Sequence, residues 1–253
     1  MDSKEQFDRQ AKYYSSSKTF SAGESLKILS DLISKKKYNY GLDIGTGAGF
    51  AAFELTKYCK NVVATDISQG MIDEAIKIMN ERKIKNLSFN ISKAEELKFE
   101  DGTFDIVTCR TAAHHFIDVK KFCHESNRVL SREGNAIIVD TITSDQKKLN
   151  EWHQEVESIR DKSHIRNLSL LEWKEIFKIS KFEIIDIAQS RVHMNLGDWM
   201  ERSGTSEKDK KNIQNKFLSA EKKIKEFFGI MPQSENNISF YWPVGIFHLR
   251  KLN

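Results

Sequence analysis

"YGLDIGTGAGF", Tyr40 to Phe50, places Gly45, Gly47 and Gly49 directly behind a short apolar run that ends in Asp43 and Ile44. A strand, then spaced glycines, then a helix is how an α/β sheet presents backbone N–H groups at its carboxyl edge, where ligands of such sheets bind. Lacking a Cβ, each glycine permits close approach of a ligand to the main chain or a positive φ. The spacing discriminates among ligands. A dinucleotide fingerprint wants its third glycine where this chain has Phe50, and a P-loop needs Gly-Lys-Ser/Thr, which is absent. Asp43 beside the loop disfavours a diphosphate and suits a cationic ligand.

Outward from the loop, residues 37–140 alternate short β-branched runs with longer amphipathic segments, the rhythm of βαβ units around a parallel sheet. Strands are expected at Tyr40–Ile44, Asn61–Thr65, Leu87–Ile91, Phe104–Cys109 and Ala136–Asp140, with helices beginning near Gly49, Ser68, Glu95 and Asp118. Ser68 and Asp118 are N-cap residues by type, and Gly134 reads as the stop after a helix ending near Leu130. Further helices are expected at Ser144–Arg160 and Ser169–Ile179, a sixth strand at Phe182–Ser190 and a last strand at Ile238–Arg250. Pro243 in that last strand demands a bend, bulge or edge position. Ile213, Phe217, Ile224 and Phe228 form a helical apolar stripe over Thr205–Phe228, under a lysine-rich face.

Composition bounds the answer. The 253 residues, 39% hydrophobic and 30% charged, suit one domain with a sizeable core. A net charge of +4 from scattered lysines is too mild to imply nucleic acid or a membrane surface. Cys59, Cys109 and Cys123 match neither a zinc site nor a disulfide framework, so reduced thiols and no metal are expected. The charged start, "MDSKEQFDRQ", is no secretory signal, and no apolar stretch nears spanning length, so a soluble, cytoplasmic protein is expected.

A second acid sharpens the ligand. Asp66 ends the second expected strand, ~20 residues past the glycines, where a carboxylate accepts both ribose hydroxyls of a bound nucleoside. Glycine loop, Asp43 and Asp66 together describe a positively charged nucleoside without phosphates, and S-adenosylmethionine answers that description. A tight turn with a solvent-facing aspartate, or a nicotinamide site, are the alternatives.

These residues resemble the class I S-adenosylmethionine-dependent methyltransferases, and within them the methyltransferase type 11 group that is similar to the ubiquinone and menaquinone C-methyltransferases. "LDIGTGAG" resembles the family's first motif, "ATDIS" its ribose-binding acid, and "SKAEELKFEDGTFDIVTCRTAAHHF" its adenine-binding and fourth-strand motifs. The resemblance implies S-adenosyl-L-methionine as methyl donor and S-adenosyl-L-homocysteine as product. It implies that Asp43, Gly45, Thr46, Gly47 and Gly49 surround the methionine moiety and that Asp66 binds the ribose. Ile67 and Met71 would sandwich the adenine, and Ala94 with Glu95 would meet its polar edge. Main-chain carbonyls near Cys109 and Arg110 would face the ammonium group, and Tyr14 would close over the cofactor. Lys93 stands where many relatives have Asp, which removes a side-chain contact there.

Methyl transfer from a sulfonium is an in-line displacement, so a protein must chiefly align the acceptor and exclude water. His114 and His115 follow the fourth strand, and a neutral imidazole there can take a proton from the acceptor. Being adjacent and pointing different ways, at most one of them is expected to reach the substrate, and shaping the pocket or bonding the backbone is the plainer role for either. Arg110, His164, Arg166 and Arg191 are candidates for binding an anionic substrate, although surface arginines are commoner. Of the four tryptophans, Trp199 is the best candidate for a pocket wall. The lysine-rich helix admits an interfacial membrane reading suited to a quinone, diluted by Glu207, Asp209, Glu221 and Glu226. Pro232 and Pro243 are the only prolines, so the Pro-Pro and Cys-Pro signatures of nucleic-acid methyltransferases are absent.

The expected fold is α/β, a Rossmann-like, seven-stranded, mostly parallel sheet with an antiparallel last strand, helices on both faces and a helical cap. Its parts are an N-terminal lid segment (1–36), the core (37–140), helices with the sixth strand (141–190), a cap insertion (191–233) and the last strand (234–253). The expected activity is methyl transfer to a small molecule, with no nucleic acid, metal or stable membrane insertion. A non-catalytic S-adenosylmethionine-binding protein and a membrane-surface quinone C-methyltransferase are the alternatives. No motif specifies the acceptor or the oligomeric state.

Overall fold

In the computed structural model, which describes residues 5–8, 11, 23–234 and 237–252, the glycine loop sits at the carboxyl edge of one large sheet. Its strands are β1 (Tyr38–Ile44), β2 (Cys59–Asp66), β3 (Leu87–Ile91), β4 (Phe104–Arg110), β5 (Leu130–Thr143), β6 (Leu168–Ser169), β7 (Phe182–Asn195), β8 (Met231–Ser234) and β9 (Asn237–Lys251). The main path is β3-β2-β1-β4-β5-β9-β7, parallel from β3 to β5, with β9 antiparallel to both its neighbours. The two short strands β6 and β8 pair with β5 and β9 beside that path.

Consecutive strand residues face opposite sides. Ile106, Ile137 and Val139 pack on one face against Leu29 of α1 (Glu24–Ile33) and Phe53 of α2 (Phe50–Thr56). Val107 and Ile138 pack on the other face with Phe122 and Trp173. With both faces covered, central strands read as unbroken apolar runs. The expected caps form: the Ser68 hydroxyl accepts the Met71 N–H at 3.1 Å to start α3 (Gln69–Glu81), and Asp118 accepts the Lys121 N–H at 2.9 Å to start α4 (Val119–Val129).

Several expectations need correction. No helix begins near Glu95; residues 92–103 form turns with a Lys93–Glu96 bridge. The backbone there is satisfied by α4 side chains instead, since Arg128 donates to the Leu97 and Phe99 carbonyls and Glu125 accepts the Leu97 N–H. Gly134 stops no helix, because α4 ends at Val129 and residues 131–134 bulge out within β5, between the Phe104–Leu130 and Ile106–Asn135 pairs. The single helix expected over Thr205–Phe228 is two, α8 (Glu207–Leu218) and α9 (Lys222–Phe228), with the Lys225 ammonium donating to the Leu218 carbonyl across the break. Pro243 does occupy a one-sided position, for β5 pairing ends at Val244 and only Arg191 of β7 lies opposite it.

The cap gathers α5 (Lys147–Arg160), α7 (Leu196–Arg202), α8 and α9 over the first half of β9, around Trp199, Phe217, Phe228 and Trp242. Residues 191–195 of the expected insertion continue β7, and 231–233 lie in β8. The stripe Ile213, Phe217, Ile224, Phe228 is buried within this cluster rather than offered to a bilayer. No helix among the described residues is long and apolar enough to cross a membrane. Helix α6 (Leu170–Ile179), which carries Trp173, starts from a capping box of Ser169 and Glu172.

Candidate active site

Where β1, β2 and β4 end, their loops surround a cavity of about 330 Å³, within the ~300–1,000 Å³ range of small-molecule sites. Gly45, Thr46, Gly47, Asp66, Ile67, Met71, Ala94, Glu95, Arg110 and His115 all line it. A Cβ on Gly47, at φ +52°, would meet no protein atom within 4 Å and would project into open space, whereas one on Gly45 would strike the Ala112 methyl at 2.6 Å. At Gly47 the left-handed backbone, not packing, calls for glycine, and the position a Cβ would take stands open.

Asp66 is buried and organised by its own turn: one oxygen accepts the Gly47 N–H at 2.8 Å and the other the Ser68 N–H at 2.9 Å. Burial raises its pKa against these bonds, and Asp8 adds to the rise. Each carboxylate oxygen keeps capacity for one more donor. Asp43 lies behind the loop, outside the cavity lining, accepting the Thr46 and Thr108 hydroxyls at 2.6 Å each. Burial lifts its pKa to about 6 in spite of those hydroxyls and the Arg110 guanidinium. Gly49 caps α2 in the left-handed region and Cys109 is buried in the sheet; neither lines the cavity. Glu95 lines it, but its Oε1 accepts the Ile117 N–H at 2.9 Å and so fixes the loop carrying Ile117. Ile117 is 86% exposed and forms an apolar wall that the sequence reading missed.

Tyr14 lies outside the described residues. The described part of the N-terminal segment does reach the site. Asp8 accepts the Ser68 hydroxyl at 2.6 Å and the Gly70 N–H at 2.9 Å, Gln6 donates to the Ser203 carbonyl, and Phe7 lines the cavity between them. The segment thereby ties α3 to the cap.

An inner chamber of about 90 Å³ shares Phe7, Arg110, Thr111 and His115 with this cavity and is lined also by His114, Glu157, Arg160, Trp199, Arg202 and Trp242. Thr111 holds φ 57°, a sterically costly region for a β-branched residue, at the junction of the two spaces. The adjacent histidines part company. His114 places Nδ1 2.6 Å from Asp140 Oδ1, and Asp140 also accepts the His114 and Thr141 N–H groups. An acid receiving donors on both oxygens assigns the proton to Nδ1, and Nε2 has no partner among the described residues. Burial works to lower the His114 pKa, but Asp140, helped by Glu157 and Asp161, carries it above 6.5. His115 holds Nδ1 3.1 Å from the Ser163 carbonyl and meets Phe7 edge-on; burial and the His114 charge push its pKa down to about 4.

Of the four residues expected to bind an anion, only Arg110 lines the cavities. Arg166 pairs with Glu172, Arg191 lies over the Tyr241 ring at 4.4 Å, and His164 bonds Gln154. Burial lowers the Arg110 pKa to about 10, with Asp43 opposing, so the guanidinium stays charged at neutral pH. Arg160 and Arg202 were missed. A signal for Arg160 existed, because His153, Glu157 and Arg160 recur at helical spacing on the inward face of α5. Cys59, Cys109 and Cys123 are unpaired and buried. Among the described residues no cluster of ligating side chains fits a metal ion.

A doubly wound sheet whose glycine turn and buried strand-end acid meet a cavity at the carboxyl edge defines a Rossmann-like α/β protein with its main cavity at the strand ends. A family model described as a methyltransferase domain matches residues 42–138. The uncharacterized methyltransferase YcgJ of Bacillus subtilis (strain 168) is 32% identical over 235 residues, which is 92% of this chain and 93% of that one. The crystal structure of YcgJ superposes with a TM-score of 0.86, covering 90% of this chain and 98% of that one. Protein BH2331 of Bacillus halodurans C-125 is 26% identical with the same TM-score of 0.86, covering 90% and 99%. The chain belongs to this methyltransferase family.

Proposed function

We propose that the chain transfers the methyl group of S-adenosylmethionine to a small-molecule acceptor. The observation that carries this reading is the cavity that sets the open Cβ position of Gly47 beside the spare lone pairs of Asp66, with a separate chamber adjoining it. When bound, S-adenosylmethionine supplies a methyl group made electrophilic by its sulfonium. Asp66 accepts the ribose hydroxyls, Ile67, Met71 and Ile117 flank the adenine, and Ala94 with Glu95 lies at its polar edge. Gly45, Thr46 and Gly47, with carbonyls near Cys109 and Arg110, receive the methionine end, and the buried charge of Asp43 behind them favours a cation.

On the acceptor side, Phe7, Trp199 and Trp242 exclude water. His114 holds a proton at Nδ1 against Asp140 and takes the acceptor's proton at Nε2. His115, anchored to Ser163 and hard to protonate, shapes the wall between the two spaces. A membrane-surface quinone reading has less support, because the basic helix buries its apolar stripe inside the cap. The test is incubation with methyl-labelled S-adenosylmethionine and a panel of small acids, phenols, amines, quinones and nucleic acids. Label is expected in a small molecule. Label confined to nucleic acid, or none in any acceptor although S-adenosylhomocysteine binds, would contradict the proposal.

A further inference from the structure

The inner chamber has a chemical bias that the outer cavity lacks. Arg110 from β4, Arg160 from α5 and Arg202 from α7 converge on about 90 Å³, and Glu157 is the only carboxyl among the described lining residues. Burial, with Asp161 nearby, raises the Glu157 pKa against the pull of Arg160 and His114. Arg160 is held rigidly: its Nε donates to the Trp199 carbonyl at 3.0 Å, its Nη1 lies 3.5 Å from Glu157 and its guanidinium stacks 4.8 Å from the Trp199 ring centre. That arrangement leaves Nη2 without a partner among the described residues. A fixed planar guanidinium suits a carboxylate better than a diffuse charge does. A chamber of about 90 Å³ suits a small acid headgroup.

We infer that the acceptor is a small organic acid whose carboxylate is seated in the inner chamber by Arg160 and Arg202, its remainder crossing the Thr111–His115 junction toward the outer cavity. Arg110, at that junction, adds positive potential along the same path. That the acid is the methyl acceptor rests on the methyltransferase reading; that the chamber binds an acid does not.

Trp199 and Trp242 line the chamber, so tryptophan fluorescence reports its occupancy. The protein saturated with S-adenosylhomocysteine is titrated with propionate, propionamide and methylphosphonate, and so are the Arg202→Gln and Arg160→Gln variants. Propionate should perturb the emission, and propionamide should bind at least ~10-fold more weakly, as should propionate to either variant. S-adenosylhomocysteine affinity, measured by calorimetry, should be unchanged in both variants. Because Arg160 also braces Trp199, Arg202→Gln and the acid-against-amide comparison on the unaltered protein decide the matter if Arg160→Gln unfolds. Equal binding of acid and amide, no response to propionate, displacement of S-adenosylhomocysteine by propionate, or tighter binding of methylphosphonate would each overturn the assignment. If S-adenosylhomocysteine itself fails to bind, the methyltransferase reading falls, and the same comparison on the unliganded protein still judges the chamber.

Discussion

Asp43→Asn should make the protein more stable and less able to bind its cofactor. Asp43 is a fully buried carboxylate whose pKa in the fold is about 6 against an ordinary 3.8, because burial outweighs the Thr46 and Thr108 hydroxyls and the charge of Arg110. An acid whose folded pKa is raised makes the fold lose stability as pH climbs between the two values, since the folded state holds the proton longer. Roughly two pH units at ~1.4 kcal/mol each give about 3 kcal/mol lost by neutral pH. Asparagine mimics the neutral acid in shape, and the attraction of Arg110 for the charge is already counted in that pKa. Either threonine hydroxyl can rotate to accept from the new amide. The variant should therefore lack this slope and gain up to about 3 kcal/mol at neutral pH, roughly 6–12 °C in Tm for a domain of this size. Urea denaturation of both proteins from mildly acid to neutral pH isolates the group, because every other titration is shared. A destabilised variant, or one keeping the wild-type slope, would refute the reasoning. Calorimetry should show weaker S-adenosylmethionine binding, the reason to keep a costly charge.

Three further outcomes follow from the site. His114→Ala should lower kcat by ~10²–10⁴ with S-adenosylhomocysteine affinity unchanged; wild-type activity should rise with pH through a midpoint above 6.5, and Asp140→Asn should move that midpoint down, because Asp140 is what raises it. Gly47→Ala, at φ +52° with no protein atom near the new methyl, should cost about 1–2 kcal/mol of stability, read by denaturant melts, and weaken cofactor binding by filling the cavity. Ile117→Ser, at a residue 86% exposed, should change stability by less than ~0.5 kcal/mol yet weaken S-adenosylmethionine binding measurably by calorimetry.

The glycine turn and the strand-end acid were legible because their signals are local. Gly45, Gly47 and Asp66 sit at strand ends whose apolar runs are unmistakable, and one βαβ unit brings them together. The helix expected at Glu95 failed for the opposite reason: the carbonyls of Leu97 and Phe99 are satisfied by Arg128, a side chain about thirty residues away that no local pattern reveals. The second chamber was the least legible. It draws Phe7, Arg110, Arg160, Arg202 and Trp242 from five separate segments, so their convergence is a property of the fold alone. Arg166 and Arg191 were plausible by type, yet Glu172 and Tyr241 engage them away from the cavities. Thr111 gave no sign, since its left-handed backbone is unexpected for a β-branched residue.

Calorimetric titration of the purified protein and its Asp66→Ala variant with S-adenosylmethionine, S-adenosylhomocysteine and NAD addresses the cofactor most directly. The unaltered protein should bind the first two and not NAD, and loss of a charged acceptor for the ribose hydroxyls should weaken both at least ~10-fold in the variant. Binding of NAD alone, or S-adenosylmethionine binding indifferent to Asp66, would contradict the assignment.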